Sequence, residues 1–205
     1  MPALCAWGAF LFLPAYSADR KQDFSIFHVS EGDSARWMVL NDGAGLPSGF
    51  ESFRPGAKVA WSRRRHWAAP APAVATAPPR IEPLGERPHP LGRLIRFRLR
   101  SAGTDTLLLR AEPDAALIAA RAGGSVARFG RGKPDDPFQF RCSGRSCDGL
   151  VVDLLVGGPR PLAMKLIGFR HVLPPAARPL VTARPAAAAP HYTPDAAISV
   201  TEIRL

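Results

Sequence analysis

At 205 residues and 22.0 kDa, the chain has room for one sizeable domain or two small ones. Its 22 Pro and 18 Gly are spread along the sequence and interrupt nearly every stretch that would otherwise grow into a long helix, which excludes a helical bundle. The formal net charge of +10 raises a polyanion as partner, but the only lysines are Lys21, Lys58, Lys133 and Lys165. The excess is therefore arginine in an Ala-, Pro- and Arg-rich chain, a bias that base composition produces as readily as nucleic-acid binding.

Residues 4–13 (LCAWGAFLFL) are apolar and are followed by Pro14 and the polar run 17–21. This is about half of the ~20 residues a membrane-spanning helix needs. A signal peptide would carry a basic residue ahead of the apolar run and a small residue where Tyr16 stands. The segment 1–18 is expected to be the outer end of a transmembrane helix, with the chain as the tail of a longer membrane protein or a frame opened at an internal methionine. The alternative is a buried first strand or helix of a soluble domain.

Residues 24–29 (FSIFHV) and 36–40 (RWMVL) are predicted strands, joined by a turn of composition SEGDS. Another turn follows at 41–47, then a short strand at 58–61. The densest basic cluster, Arg63-Arg64-Arg65-His66, is flanked by Trp61 and Trp67. It suits a membrane interface, a nucleic-acid surface or a solvated loop. Residues 68–79 (AAPAPAVATAPP) are predicted to form an extended, polyproline-like linker. It divides a small N-terminal hairpin region, 19–67, from a main body, 80–205.

The body holds the clearest strand, 94–100 (LIRFRLR). Ile95, Phe97 and Leu99 share one face, and Arg96, Arg98 and Arg100 the other. Residues 104–111 follow a Ser-Ala-Gly turn and are expected to pair with that strand as a hairpin. Residues 115–122 are ambiguous between strand and helix. Strands at 138–142 and 150–156 flank a loop with Cys142 and Cys147, and 162–169 is another strand. Residues 178–190 are again Pro/Ala-rich. In 197–205 the apolar phase shifts between Val200 and Ile203, as a bulge would require. Roughly seven to nine short strands make the fold mainly β: an antiparallel β-sandwich body preceded by the apolar segment and the hairpin region.

Catalytic signatures are absent: there is no GxSxG, no HExxH and no phosphate-binding GxxxxGK[ST] loop. His28, His66, His89, His171 and His191 are far apart in sequence, with no acidic residue at a metal-motif spacing. Asp135-Asp136 sits between Pro134 and Pro137 and reads as an exposed turn rather than a cation site. Cys142 and Cys147 supply two of the four ligands of a structural zinc site with no second cluster near, and their spacing is not CxxC. A disulfide or two free thiols remain. Cys5, in the apolar run, reads as a small hydrophobe. No catalytic, cofactor-binding or metal-ligating residue is assigned.

Several segments, taken in order, resemble the C-terminal region of membrane-anchored zinc aminopeptidases of metallopeptidase family 28, the relatives of vacuolar membrane proteases and endoplasmic-reticulum metallopeptidases. They are "LPAYSADRKQDFSIFHV", "ARWMV", "WSRRRHWAAPAPA", "FRCSGRSCDGLVVDLLV", "LIGFRHVLPPAARPLVTARP" and "DAAISVTEIRL". In such proteins a di-zinc catalytic domain is followed by transmembrane helices and a β-rich extracytoplasmic domain. The family's zinc ligands match no position here. The resemblance thus implies a non-catalytic, extracytoplasmic β-domain, with zinc only in the catalytic part of the parent. Its partners would be the catalytic and transmembrane parts of the peptidase, with the membrane at the N-terminus. On that side of a membrane disulfides persist, so Cys142 and Cys147 are expected to clip a hairpin, with Gly144 and Gly149 allowing the tight turn. The competing expectation is a free-standing, membrane-tethered module binding an exported ligand such as a sugar, with Trp37, Trp61 and Trp67 as an aromatic platform. A nucleic-acid binder using the arginine ladder is a third expectation.

Overall fold

The computed structural model describes residues 17, 19–41, 45–112, 115–129, 137–158, 161–190 and 192–205. The apolar segment 4–13 with Cys5, the Asp135-Asp136 pair, His191 and the side chains of Arg63, Arg64 and Arg65 lie outside them. No helix among the described residues is long and apolar enough to cross a membrane.

The fold is mainly β, and the chain passes repeatedly between two sheets. Strands β1 (Gln22–Glu31), β2 (Ser34–Asn41), β3 (Arg54–Val59) and β4 (Ser62–Pro70) enter the large sheet, and β5 (Arg80–His89) and β6 (Gly92–Arg100) the small one. Strand β7 (Thr106–Ala111) returns to the large sheet, β8 (Leu117–Ala122) and β9 (Ser125–Arg128) lie in the small one, and β10 (Phe138–Ser143) is large-sheet again. After β11 (Val151–Val156) in the small sheet, β12 (Ala163–Arg170), helix α1 (Arg178–Ala183), β13 (Ala188–Ala189) and β14 (Ala196–Arg204) complete the chain. The large sheet runs β10-β7-β12-β14-β1-β2-β4-β3, with β13 also pairing β1; the small one runs β5-β6-β11-β8-β9.

Four sequence expectations need correction or extension. First, β6 and β7 are not a hairpin: β6 pairs with β5 and β11, β7 with β10 and β12. The reason lies in their faces. Strand β6 has one apolar and one arginine face, whereas Leu107, Leu108 and Leu109 bury both faces of β7. Beside β6, Leu108 would sit on the charged face; the turn at 101–104, with Ala102 at φ 50° and Gly103 at φ 78°, sends β7 to the other sheet instead.

Second, the large sheet is mixed rather than wholly antiparallel, because β1 runs parallel to β14 from Phe27↔Ala196 to Glu31↔Val200, and parallel to β13. The strands of 19–67 therefore share one sheet with β7, β12 and β14. Third, β14 pairs with β12 in unbroken register from Ala163↔Arg204 to Arg170↔Ala197, so no bulge separates Val200 from Ile203. Fourth, residues 80–89 form a strand the sequence did not suggest. Pro83 and Pro88 are tolerated because β5 is an edge strand with an exposed outer side.

A cluster that draws on both sheets lies between them. Phe97, Leu99, Val152 and Leu154 come from the small sheet, and Leu107, Leu109, Leu166 and Ile203 from the large one. On the opposite face of the large sheet, Phe27, Met38, Leu108, Ile167, Ile198 and Val200 form a second cluster, capped by Val59 and Trp61 of the β3–β4 hairpin. Arg110 donates to the Ala60 carbonyl at the tip of that hairpin and fixes it over the sheet. A third cluster, around Phe24, Trp37, Phe50 and Phe53, packs near α1.

Only residues 71–79 of the expected linker lack regular structure, since 68–70 complete β4. This strap is held at both ends. Ala71 donates its N–H to the Ala35 carbonyl (3.2 Å), and the Pro72 carbonyl accepts from His28 Nε2 (2.9 Å), which places the imidazole proton on Nε2. Pro79 sits against Gly168, where a Cβ would come 2.9 Å from its Cγ.

Candidate functional site

Cys142, at the end of β10, is bonded to Cys147 in a single 3-10 turn, with Cα atoms 5.7 Å apart. The loop uses positive φ at Gly144 (86°) and Gly149 (83°), positions where a side chain would be strained. It is not the turn of a hairpin, however. Strand β10 belongs to the large sheet and β11 to the small one, so the disulfide closes a crossover between sheets. The half-cystine at 147 is 1% exposed and packs into the inter-sheet cluster. Around it the backbone ties both sheets together: Gly144 N–H donates to the Asp105 carbonyl and Gly149 N–H to the Leu99 carbonyl. Asp148 Oδ1 accepts from the Ser101 N–H (2.8 Å), which holds the Asp148 carboxyl below the ordinary aspartate range. This is a brace rather than a reactive site.

The arginine ladder of β6 lies where alternation places it, with Ile95, Phe97 and Leu99 buried beneath. Its charges are matched within the sheet. Asp153, central on β11 and 5% exposed, is gripped from both sides, by Arg96 Nε (2.6 Å) on β6 and Arg121 Nε (2.9 Å) on β8. Hydrogen bonding to Arg96 lowers the Asp153 pKa most, burial opposes it, and Arg121 adds to the lowering. Arg100 and Arg98 both approach Glu82 on β5, at 2.7 and 3.6 Å. Each of the three ladder arginines thus has a carboxylate partner, which weakens the field a polyanion would meet.

The three tryptophans do not form one platform. Trp37 is 7% exposed and meets His28 edge-on, with ring centroids 4.9 Å apart. Trp67 packs against the third cluster, and Trp61, half-buried, lies edge-on to Phe169 at 5.9 Å.

Beside Trp61 the β3–β4 hairpin leaves a groove over the large sheet, with a cavity of about 370 Å³. Phe27, Leu108 and Phe169 form its apolar floor. Its rim brings Gln139 and Arg141 from β10, His171 after β12 and the exposed Tyr192 before β14. Buried Asp23 and His66 line it as well. These residues come from separate parts of the chain with no shared motif, so no local sequence signal marks them. Trp61, His66 and His171 stand out singly in the sequence, and nothing there brings them together with Gln139, Arg141 and Tyr192.

Among the described residues no group of three or more His, Cys, Asp and Glu side chains stands close enough to hold a metal ion. Comparison with protein-family models, curated proteins and solved structures returns no match.

Proposed function

We infer that this chain is the non-catalytic, extracytoplasmic C-terminal β-domain of a membrane-bound zinc metallopeptidase-like protein, and a piece of a longer chain. The observation that carries this reading is where the resembling segments fall. They supply β1, β2, β4, the disulfide-braced crossover from β10 to β11, β12 with α1, and β14. Resemblance confined to loops would be weak support; here it falls on several strands of the large sheet, β3, β7 and β13 excepted, and on the crossover to the small one. The cluster shared by the two sheets supports reading the body as a β-sandwich. A disulfide in the crossover suits an oxidising compartment, as an extracytoplasmic location requires.

In this role the domain packs against, or restricts access to, a catalytic domain that holds the zinc elsewhere in the parent. The decisive test is the nucleotide sequence upstream of Met1 in the same frame. Transmembrane helices preceded by a di-zinc aminopeptidase domain are expected there. A stop codon directly upstream, with no such gene adjacent, would overturn the reading.

A further inference from the structure

We propose that the groove beside the β3–β4 hairpin is a saccharide-binding site. Trp61 and Tyr192 would take the apolar faces of sugar rings, and Gln139, Arg141 and His171 the hydroxyl groups. The proposal stands on the groove alone and does not rest on the peptidase reading.

A pyranose ring has a C–H face that packs on an aromatic ring and a rim of hydroxyls that both donate and accept. A site for it needs aromatic surface next to planar polar side chains of mixed hydrogen-bonding capacity. The groove has both parts: Phe27, Leu108 and Phe169 give an apolar floor, and the exposed Gln139, Arg141 and His171 stand at its rim, with Asp23 and His66 buried in its lining. Gln139 and Arg141 alternate on β10 and project from one sheet face, with Cα atoms about 7 Å apart. Both are exposed, as are His171 and Tyr192, the last at 80%. The rigid side is Trp61, held edge-on against Phe169 on a hairpin pinned by Arg110. A cavity of about 370 Å³ lies in the range of small-ligand sites, ~300–1,000 Å³.

Two other ligand classes fit less well. A polyanion would meet the Asp23 carboxyl, which lines the groove as Arg141 does. A peptide in extended form is read mainly through its backbone at a free sheet edge, whereas this groove lies over a sheet face and is lined by side chains.

The test uses the full 205-residue chain and a panel of glucose, N-acetylglucosamine, maltose, cellobiose and di-N-acetylchitobiose, followed by tryptophan fluorescence and calorimetry. At least one disaccharide is expected to bind with a dissociation constant of about 1 mM or tighter. Arg141→Ala and Gln139→Ala, both at exposed positions, should weaken that binding about tenfold, and Tyr192→Ala about threefold or more. Arg98→Ala, on the small sheet, should leave it unchanged. Circular dichroism establishes that each variant is folded. The proposal is overturned if no sugar binds at ~10 mM, or if binding is indifferent to all three groove variants. It is equally overturned if an extended peptide such as tetra-alanine, and no sugar, binds with that sensitivity.

Discussion

Val200 and Ile203, three residues apart on β14, are buried in different cores on opposite faces of one strand. Val200 lies opposite Ile167 in the cluster beneath the β3–β4 hairpin, while Ile203 joins Leu109 and Leu166 between the sheets. A strand covered on both faces shows no single apolar phase, and it ties both cores to the same backbone. Ile203→Ala is expected to cost about 2–4 kcal/mol and Val200→Ala about 1–3. Because the side chains are about 10 Å apart and share no cluster, the double variant should be additive within ~0.5 kcal/mol. Urea unfolding of the two single variants and the double variant measures this. A coupling above ~1 kcal/mol would mean that the two cores are one.

The disulfide braces a crossover, so its loss should loosen the junction of the sheets without abolishing them. Closing so short a loop contributes about 2 kcal/mol in the chain-entropy account. Dithiothreitol, or Cys142→Ser combined with Cys147→Ala, should lower stability by about that amount. Alanine at 147 avoids leaving a hydroxyl in the apolar cluster. Thiol titration of unreduced, denatured protein should detect Cys5 alone. Three reactive thiols would contradict the bond.

The parts of the fold that were legible are those that local composition decides: β6 has one face in and one face out, and β1, though buried on both faces, is marked by the Glu31-to-Ser34 turn that joins it to β2. Strand β7 and the end of β14 were misread because burial on both faces removes the alternation that assigns a strand to a sheet. Strand β5 was missed because its Pro83 and Pro88 signal a loop, and only its edge position makes them harmless. In the site, the cysteine spacing leaves a disulfide or two free thiols, and only the compartment implied by the resemblance favours the bond; the hairpin expected around it is a crossover between sheets. Asp153 was not legible, since its importance arises from the register that sets Arg96 and Arg121 on either side of it. The groove was invisible for the same reason, being assembled from strands far apart in sequence.

Strap 71–79 crosses the large sheet where Gly168 leaves room for it. A Cβ at 168 would come within 2.7 Å of Thr104 Cγ2 and 2.9 Å of Pro79 Cγ. Gly168→Ala is therefore expected to cost about 1–3 kcal/mol through overpacking and to increase cleavage of 71–79 in limited proteolysis. Gly45→Ala, where nothing lies within 4 Å, should stay within about ±0.5 kcal/mol of the parent. Equal cleavage rates in the two variants would show that the strap is not seated on β12.

Asp195 joins the last strand to the first. One carboxylate oxygen accepts from the Ile26 N–H (2.8 Å) and the other from Arg184 (2.5 Å), whose side chain is 12% exposed. Asp195→Ala strands both donors, so about 3 kcal/mol of destabilisation is expected. Arg98→Ala, whose ion pair with Glu82 is partly exposed and 3.6 Å long, should cost under about 1 kcal/mol. Chemical denaturation compares the two directly, and similar losses would refute the contrast.

Asp153 should give the acid limb of stability its steepness. Its carboxyl titrates below the ordinary aspartate range because Arg96, then Arg121, hydrogen-bond the ionised form against the opposing effect of burial. A group whose folded pKa is depressed contributes stability that is fully present above the unfolded value, about 3.9, and is lost as pH falls through the folded one. The midpoint of urea unfolding should therefore fall progressively below about pH 5, with both arginines still charged. Asp153→Asn removes this term and sets an amide N–H₂ against guanidinium donors, a clash of donor with donor. At pH 7 it should cost about 1–3 kcal/mol, toward the lower end because Arg96 and Arg121 are about half exposed and screened by solvent. Below pH 4 the variant should approach the parent, leaving a shallower acid limb. Some slope should persist, since Asp148 and Glu51 are depressed in the same direction by backbone N–H donors. An acid limb of unchanged slope in Asp153→Asn would mean that the pair of arginines does not stabilise the fold through this carboxylate.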